Sequence, residues 1–125
     1  RTRGYSTVGN DRAKMYDSIG DDTYSSIDGS ARFTGATFDN YTYGFRYNEA
    51  YSLSGSDVAV MEDSSGNDNL RVRVQGLKMT YDDGVYYDVR AFDHYVASSF
   101  NGGEDDVNEV DPFEYVLELD GDWII

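Results

Sequence analysis

The chain has 125 residues, 39% of them hydrophobic, and its 24 acidic and 10 basic residues give a formal charge of −14. That length fits one domain with a thin core, and the charge argues against nucleic acid and anionic membrane surfaces as partners while favouring cations. Cysteine is absent, so no disulfide framework is possible, and no run approaches the roughly 18 apolar residues of a membrane span.

The start, Arg1-Thr2-Arg3-Gly4, has neither Met nor a signal peptide and reads as a piece of a longer or processed chain. Next comes an internal repeat. Residues 11–24 read DRAKMYDSIGDDTY and residues 57–70 read DVAVMEDSSGNDNL. Asp11, Ala13, Met15, Asp17, Ser18, Gly20 and Asp22 recur as Asp57, Ala59, Met61, Asp63, Ser64, Gly66 and Asp68, each 46 residues on. The same step carries Ser30–Thr34 onto Gly76–Thr80 with apolar, basic, apolar and Thr positions in order. Phe45–Tyr51 resembles Tyr86–Phe92 at a step of 41, as if the second copy had lost residues in the preceding loop. A third start at Gly102–Val107 departs from the pattern after Asp111-Pro112, so residues 107–125 are expected to cap the array. The chain is thus one β-repeat domain, with repeat 1 at 9–54, repeat 2 at 55–102 and a partial repeat and cap at 103–125.

Within each unit the local signal is β. Leu70-Arg71-Val72-Arg73-Val74-Gln75 alternates strictly, as do the pairs Ala13/Met15, Ala59/Met61 and Leu77/Met79, which is the period of a half-buried strand. Asp28-Gly29, Asp83-Gly84 and Asn101-Gly102 are turn pairs that supply positive φ. No stretch offers a helical face. These features predict a parallel β-solenoid (β-helix) of two full repeats, each of two rungs of about 23 residues, with an open β-sandwich as the alternative. Ala13, Met15, Ala31, Phe33, Ala59, Met61, Leu77 and Met79 are expected to face inward, the larger ones contributing roughly 1.5–3 kcal/mol each on full burial.

The repeated Asp-Ser-x-Gly-x-Asp loop sets Asp17 and Asp22, and again Asp63 and Asp68, around a glycine that lets backbone carbonyls converge with carboxylates. This suits a hard cation such as calcium, with Asp21 and Asn67 as further donors. Aspartate and serine at turns also bond their own backbone without any metal. Gly20-Asp21-Asp22-Thr23-Tyr24 and Gly66-Asn67-Asp68-Asn69-Leu70 resemble the second half of the repeats-in-toxin nonapeptide, a calcium-binding β-roll motif, but lack its leading Gly pair and nine-residue period. That resemblance maps only Asp22 and Asp68 onto the ligand Asp. The whole unit resembles the tandem Asp-x-Ala-x-Leu-Tyr-Asp-Ser-x-Gly-Asn-Asp repeats of large secreted bacterial surface proteins over most of residues 9–111. It implies an extracellular or cell-surface, structural or adhesive setting.

Other signals are thinner. Twelve tyrosines include Tyr41, Tyr43 and Tyr47, a candidate ligand-binding aromatic face, although tyrosines are more often half-buried strand residues. His94, the only histidine, adjoins Tyr95 and suggests an acid-base pair, but a solitary histidine is usually structural. No phosphate loop, thiol nucleophile or zinc pattern is present, and Asn40-Tyr41-Thr42 is a three-residue sequon. The expected protein is not an enzyme but a calcium-stabilised structural or adhesive segment that self-associates or packs on neighbouring segments of a larger chain, forming fibres through exposed rungs. Arg1 and Arg3 are candidates to meet a neighbour's acidic surface. The alternative is a non-catalytic carbohydrate-binding module of a secreted enzyme, with a glycan as partner.

Overall fold

The computed structural model describes residues 2–5, 11–17 and 20–125, leaving aside the side chains of Thr2, Arg3, Tyr5 and Glu109. Arg1, the Arg3 side chain and Ser18, singled out above, lie outside the described residues. Among the described residues the chain is all β. The strands are β1 (Thr2–Tyr5), β2 (Arg12–Tyr16), β3 (Thr23–Ile27), β4 (Ser30–Thr34), β5 (Asp39–Tyr43), β6 (Tyr47–Tyr51) and β7 (Val58–Glu62). They continue with β8 (Asn69–Arg73), β9 (Gly76–Thr80), β10 (Tyr86–Arg90), β11 (His94–Ser99), β12 (Asp105–Val110), β13 (Val116–Gly121) and β14 (Trp123–Ile124). No helix among them is long and apolar enough to cross a membrane.

Alternation sets the faces. In β2, Arg12, Lys14 and Tyr16 are exposed while Ala13 and Met15 are buried, because successive side chains leave a strand on opposite sides. All eight residues expected to face inward are buried, and six of the eight are at 0–1% exposure. A single apolar cluster draws Tyr24, Phe33 and Met61 from one sheet together with Leu70, Met79 and Tyr87 from the other. The two sheets therefore share one core.

Among the described residues each sheet has seven strands, in the orders β1-β5-β4-β3-β7-β11-β13 and β14-β12-β8-β9-β10-β6-β2. One connection rule generates both. Strands β2 to β6 form a first unit and β7 to β11 a second. In each, the first and fifth strands pair in parallel on one sheet, and the middle three form an antiparallel meander on the other. The second strand of a unit pairs with the first of the next, and the fifth with the fourth of the next, always in parallel. The sheets exchange roles from unit to unit. β12, β13 and β14 then take the places of the first, fourth and fifth strands of a third unit that lacks the hairpin.

This is not the closed parallel solenoid expected from the repeat. The ladders mix parallel and antiparallel pairs, in keeping with the open two-sheet alternative. Parallel neighbours lie 35 to 39 residues apart where a full unit separates them, as in Thr23↔Val58 and Tyr47↔Tyr86, rather than 23. Asp28-Gly29 explains part of the difference: with Gly29 at φ 82 it closes a two-residue hairpin between β3 and β4, the geometry that Asp-Gly favours. The likeness of 45–51 to 86–92 relates lateral neighbours, since β6 pairs with β10; the counterpart of β10 is β5, 47 residues earlier, so no residues were lost. β8 also ends at Arg73, and Val74-Gln75 forms the turn to β9.

Candidate metal centre

The crossings between sheets carry the acidic loops. The described residues between β2 and β3, 17 and 20–22, stack on residues 52–57 between β6 and β7, because β2 pairs with β6 and β3 with β7. Residues 63–68, between β7 and β8, and 100–104, between β11 and β12, stack in the same way, with Ser99 and Asp105 at the flanking strand ends. Each stack gathers three carboxylates: Asp17, Asp22 and Asp57 in one, Asp63, Asp68 and Asp105 in the other, each offering an oxygen within 4.8 Å of the other two. The loops touch at glycine. A side chain on Gly55 would strike the Gly20 carbonyl and one on Gly103 the Gly66 carbonyl, and both glycines have positive φ.

The two centres share one hydrogen-bond plan. Asp17 accepts from Leu53 N at 2.6 Å and Ser54 N at 3.3 Å, as Asp63 accepts from Phe100 N at 3.1 Å and Asn101 N at 3.1 Å. Asp22 N donates to Asp57 at 2.7 Å, and Asp68 N donates to Asp105 at 2.8 Å. The Ser52 hydroxyl donates to Asp57 and the Ser99 hydroxyl to Asp105. One residue earlier in the loops, Ser56 N donates to Asp21 and Glu104 N to Asn67, so these two side chains brace the stack. Asp68 also accepts from Ser64 and Asp82 N.

Burial makes these groups costly to ionise together. Asp63 is pushed up to about 6 by burial, with the adjoining Asp105 carboxylate adding to the effect and the Phe100 and Asn101 amides opposing it. Burial also raises Asp57, with Asp17 contributing, and Asp68, with Asp105 contributing. Among the described residues the donors to Asp63, Asp68 and Asp105 are amides and hydroxyls, all neutral. A bound cation would offset what these neutral donors leave uncompensated. The donor set is all oxygen, and oxygens within 4.8 Å fit around one ion with bonds of ~2.4 Å, the hard-cation range. These buried clusters can hold a metal ion. No protein-family model, curated protein or solved structure matches the chain.

The structure joins Asp17 with Asp22 and Asp63 with Asp68, and adds Asp57 and Asp105, which sequence reasoning placed only as repeat starts. Their signal was present: an Asp stands immediately before β2, β3, β7, β8, β11 and β14, and β12 begins with one. The aromatic candidates are divided. Tyr41 and Tyr43 lie on the outer face of β5, whereas Tyr47 belongs to β6 in the other sheet, where its ring meets Tyr86 at 5.0 Å. His94 and Tyr95 are adjacent on β11 and so leave opposite faces. The Tyr95 hydroxyl is buried and donates to Val89 O.

Proposed function

We propose that the chain is an extracellular β-repeat segment with a structural or adhesive role, whose stacked loops are clamped by calcium and whose open sheet edges let it associate with copies or neighbouring segments. The observation that carries this reading is the duplicated carboxylate trio: the same hydrogen-bond plan recurs at two places, each bridging one loop to the next. Calcium is favoured over softer metals by the all-oxygen donors. β1 and β13 end one sheet, β2 and β14 the other, and all four present backbone to further strands. The resemblance to tandem surface repeats points the same way.

A second reading, a non-catalytic carbohydrate-binding module, is favoured by Tyr43, which is exposed beside Tyr41. Calcium calorimetry separates the main claim from its rivals. Two ions should bind, Asp17→Asn and Asp63→Asn should each remove one, and magnesium should substitute poorly. Binding of no ion, or equal melting shifts with magnesium and calcium, overturns the clamp. Electron microscopy with and without calcium tests the association.

A further inference from the structure

We propose that an open groove beside the β10–β11 corner is a saccharide site for neutral or amino-substituted sugar rings. This goes beyond the calcium-clamp reading and stands independently of it. The groove has a volume of about 870 Å³, within the roughly 300–1,000 Å³ of small-molecule sites. It exists because the third unit lacks its hairpin. Residues 111–115 run directly from β12 to β13, and Pro112 to Tyr115 line the groove together with the β8–β9 turn and the corner at 91–93.

One wall is aromatic and held in place. Phe92 packs on Tyr95 at 5.8 Å, Tyr95 on Tyr115 at 4.7 Å, and Tyr115 stacks on Phe113 at 4.7 Å and 22°. The Tyr115 hydroxyl is anchored on Arg73 O at 2.6 Å. This chain of rings runs from the core to Phe113, which is 37% exposed. A rigid exposed ring is what the apolar face of a sugar stacks on. Val74, also exposed, adds apolar lining.

The rim supplies both donors and acceptors. The Gln75 amide and the Glu114 carboxylate line the groove, both exposed, and neither side chain has a hydrogen bond among the described residues. Asp57 N donates to one oxygen of Asp93, and the other has no hydrogen bond among the described residues. Arg90, the cation in the lining, is committed to Asp88 through Nε and Nη2. Hydroxyls can donate to the two carboxylates and accept from Gln75. With two carboxylates against one engaged guanidinium, the rim repels uronates and phosphates and accepts a neutral or cationic ring. The Ala91 methyl also lines the groove. Its left-handed backbone, φ 67, is a demand of the corner, since Gly44 stands at the same point of the first unit with φ 81.

The test uses cellotriose, chitosan trimer and trigalacturonate as probes at millimolar concentration against the whole chain, read by calorimetry and by NMR shifts. Cellotriose or chitosan trimer should bind and shift the amides of Ala91, Phe92 and Phe113. Phe113→Ala should weaken binding at least tenfold, Phe113→Trp should restore it, and Ile27→Ala, at an exposed residue outside the groove, should leave it unchanged. Melting curves with calcium on the same samples report folding and the clamp separately. The proposal is overturned by no binding of either neutral or amino probe, by binding that survives Phe113→Ala in a folded variant, or by preference for trigalacturonate.

Discussion

Asp63 concentrates the electrostatic question. Its folded-state value, pushed up to about 6 by burial and by Asp105, lies above that of an unfolded aspartate, ~3.9. Between those values the folded state holds more protons than the unfolded one, so stability contributed by this group is lost as pH rises from about 4 to about 6. Asp57 and Asp68 shift in the same direction. Asp88 opposes them in a separate window: Arg90 and Arg73 outweigh its burial and lower its value, so its contribution is lost only below the ordinary carboxylate range. Thermal melts in chelator should therefore decline between pH 4 and 6, while the increment from calcium, which needs ionised carboxylates, should grow over the same interval. Asp63→Asn should abolish that growth at its own centre and, without calcium at pH 8, raise stability by on the order of 1 kcal/mol by removing a like charge; a constant calcium increment from pH 4 to 8 would contradict the account. At Ala91 the backbone is strained by its methyl, so Ala91→Gly should stabilise by roughly 0.5–1 kcal/mol in denaturant titration, as left-handed geometry costs alanine about 1–2 kcal/mol and glycine's extra chain entropy returns part of it.

At the scale of elements, the loops depend on glycines that no side chain can replace. Gly55→Ala would force a methyl against the Gly20 carbonyl at φ 89, and should cost about 2–4 kcal/mol in equilibrium unfolding. Its effect on calcium should be confined to the first centre, leaving one ion bound in calorimetry, whereas Gly103→Ala should spare the first and disable the second. How much of this was legible differs by element. Strands β2, β7, β8 and β9 could be read from alternation, and half of each carboxylate trio from the repeated loop, because those signals are local. Asp57 and Asp105 could not be placed, since they enter from a stacked loop 35 to 37 residues from Asp22 and Asp68, and pairing between coils leaves no mark on local spacing. The hairpins were available in principle, as Asp28-Gly29 is a two-residue turn signal. A 46-residue period alone does not tell whether successive copies lie on one sheet or alternate between two.

Across the whole molecule, that alternation arranges the charge. Arg12, Lys14, Arg71, Arg73, Lys78 and Arg90, six of the ten Lys and Arg residues, lie on β2, β8, β9 and β10 of one sheet. There Arg12 engages Glu49, Arg73 and Arg90 engage Asp88, and Arg12, Lys78 and Arg90 lie over Tyr47, Tyr86 and Tyr51. The loop carboxylates at the crossings have no share in those ion pairs, so a net charge of −14 acts against compaction most strongly where the loops stack. Two effects should then be separable in melting temperatures. Sodium chloride in chelator should stabilise both the native chain and Asp17→Asn/Asp63→Asn by screening diffuse repulsion. Calcium at 1 mM, with ~0.1–1 mM affinity, should add ~0.4–1.4 kcal/mol per site to the native chain alone. For two sites that corresponds to roughly 3–12 °C. If the double variant gains as much from calcium as the native chain does, the trios are braces for the loops through their hydrogen bonds alone, and calcium acts only as a diffuse counterion.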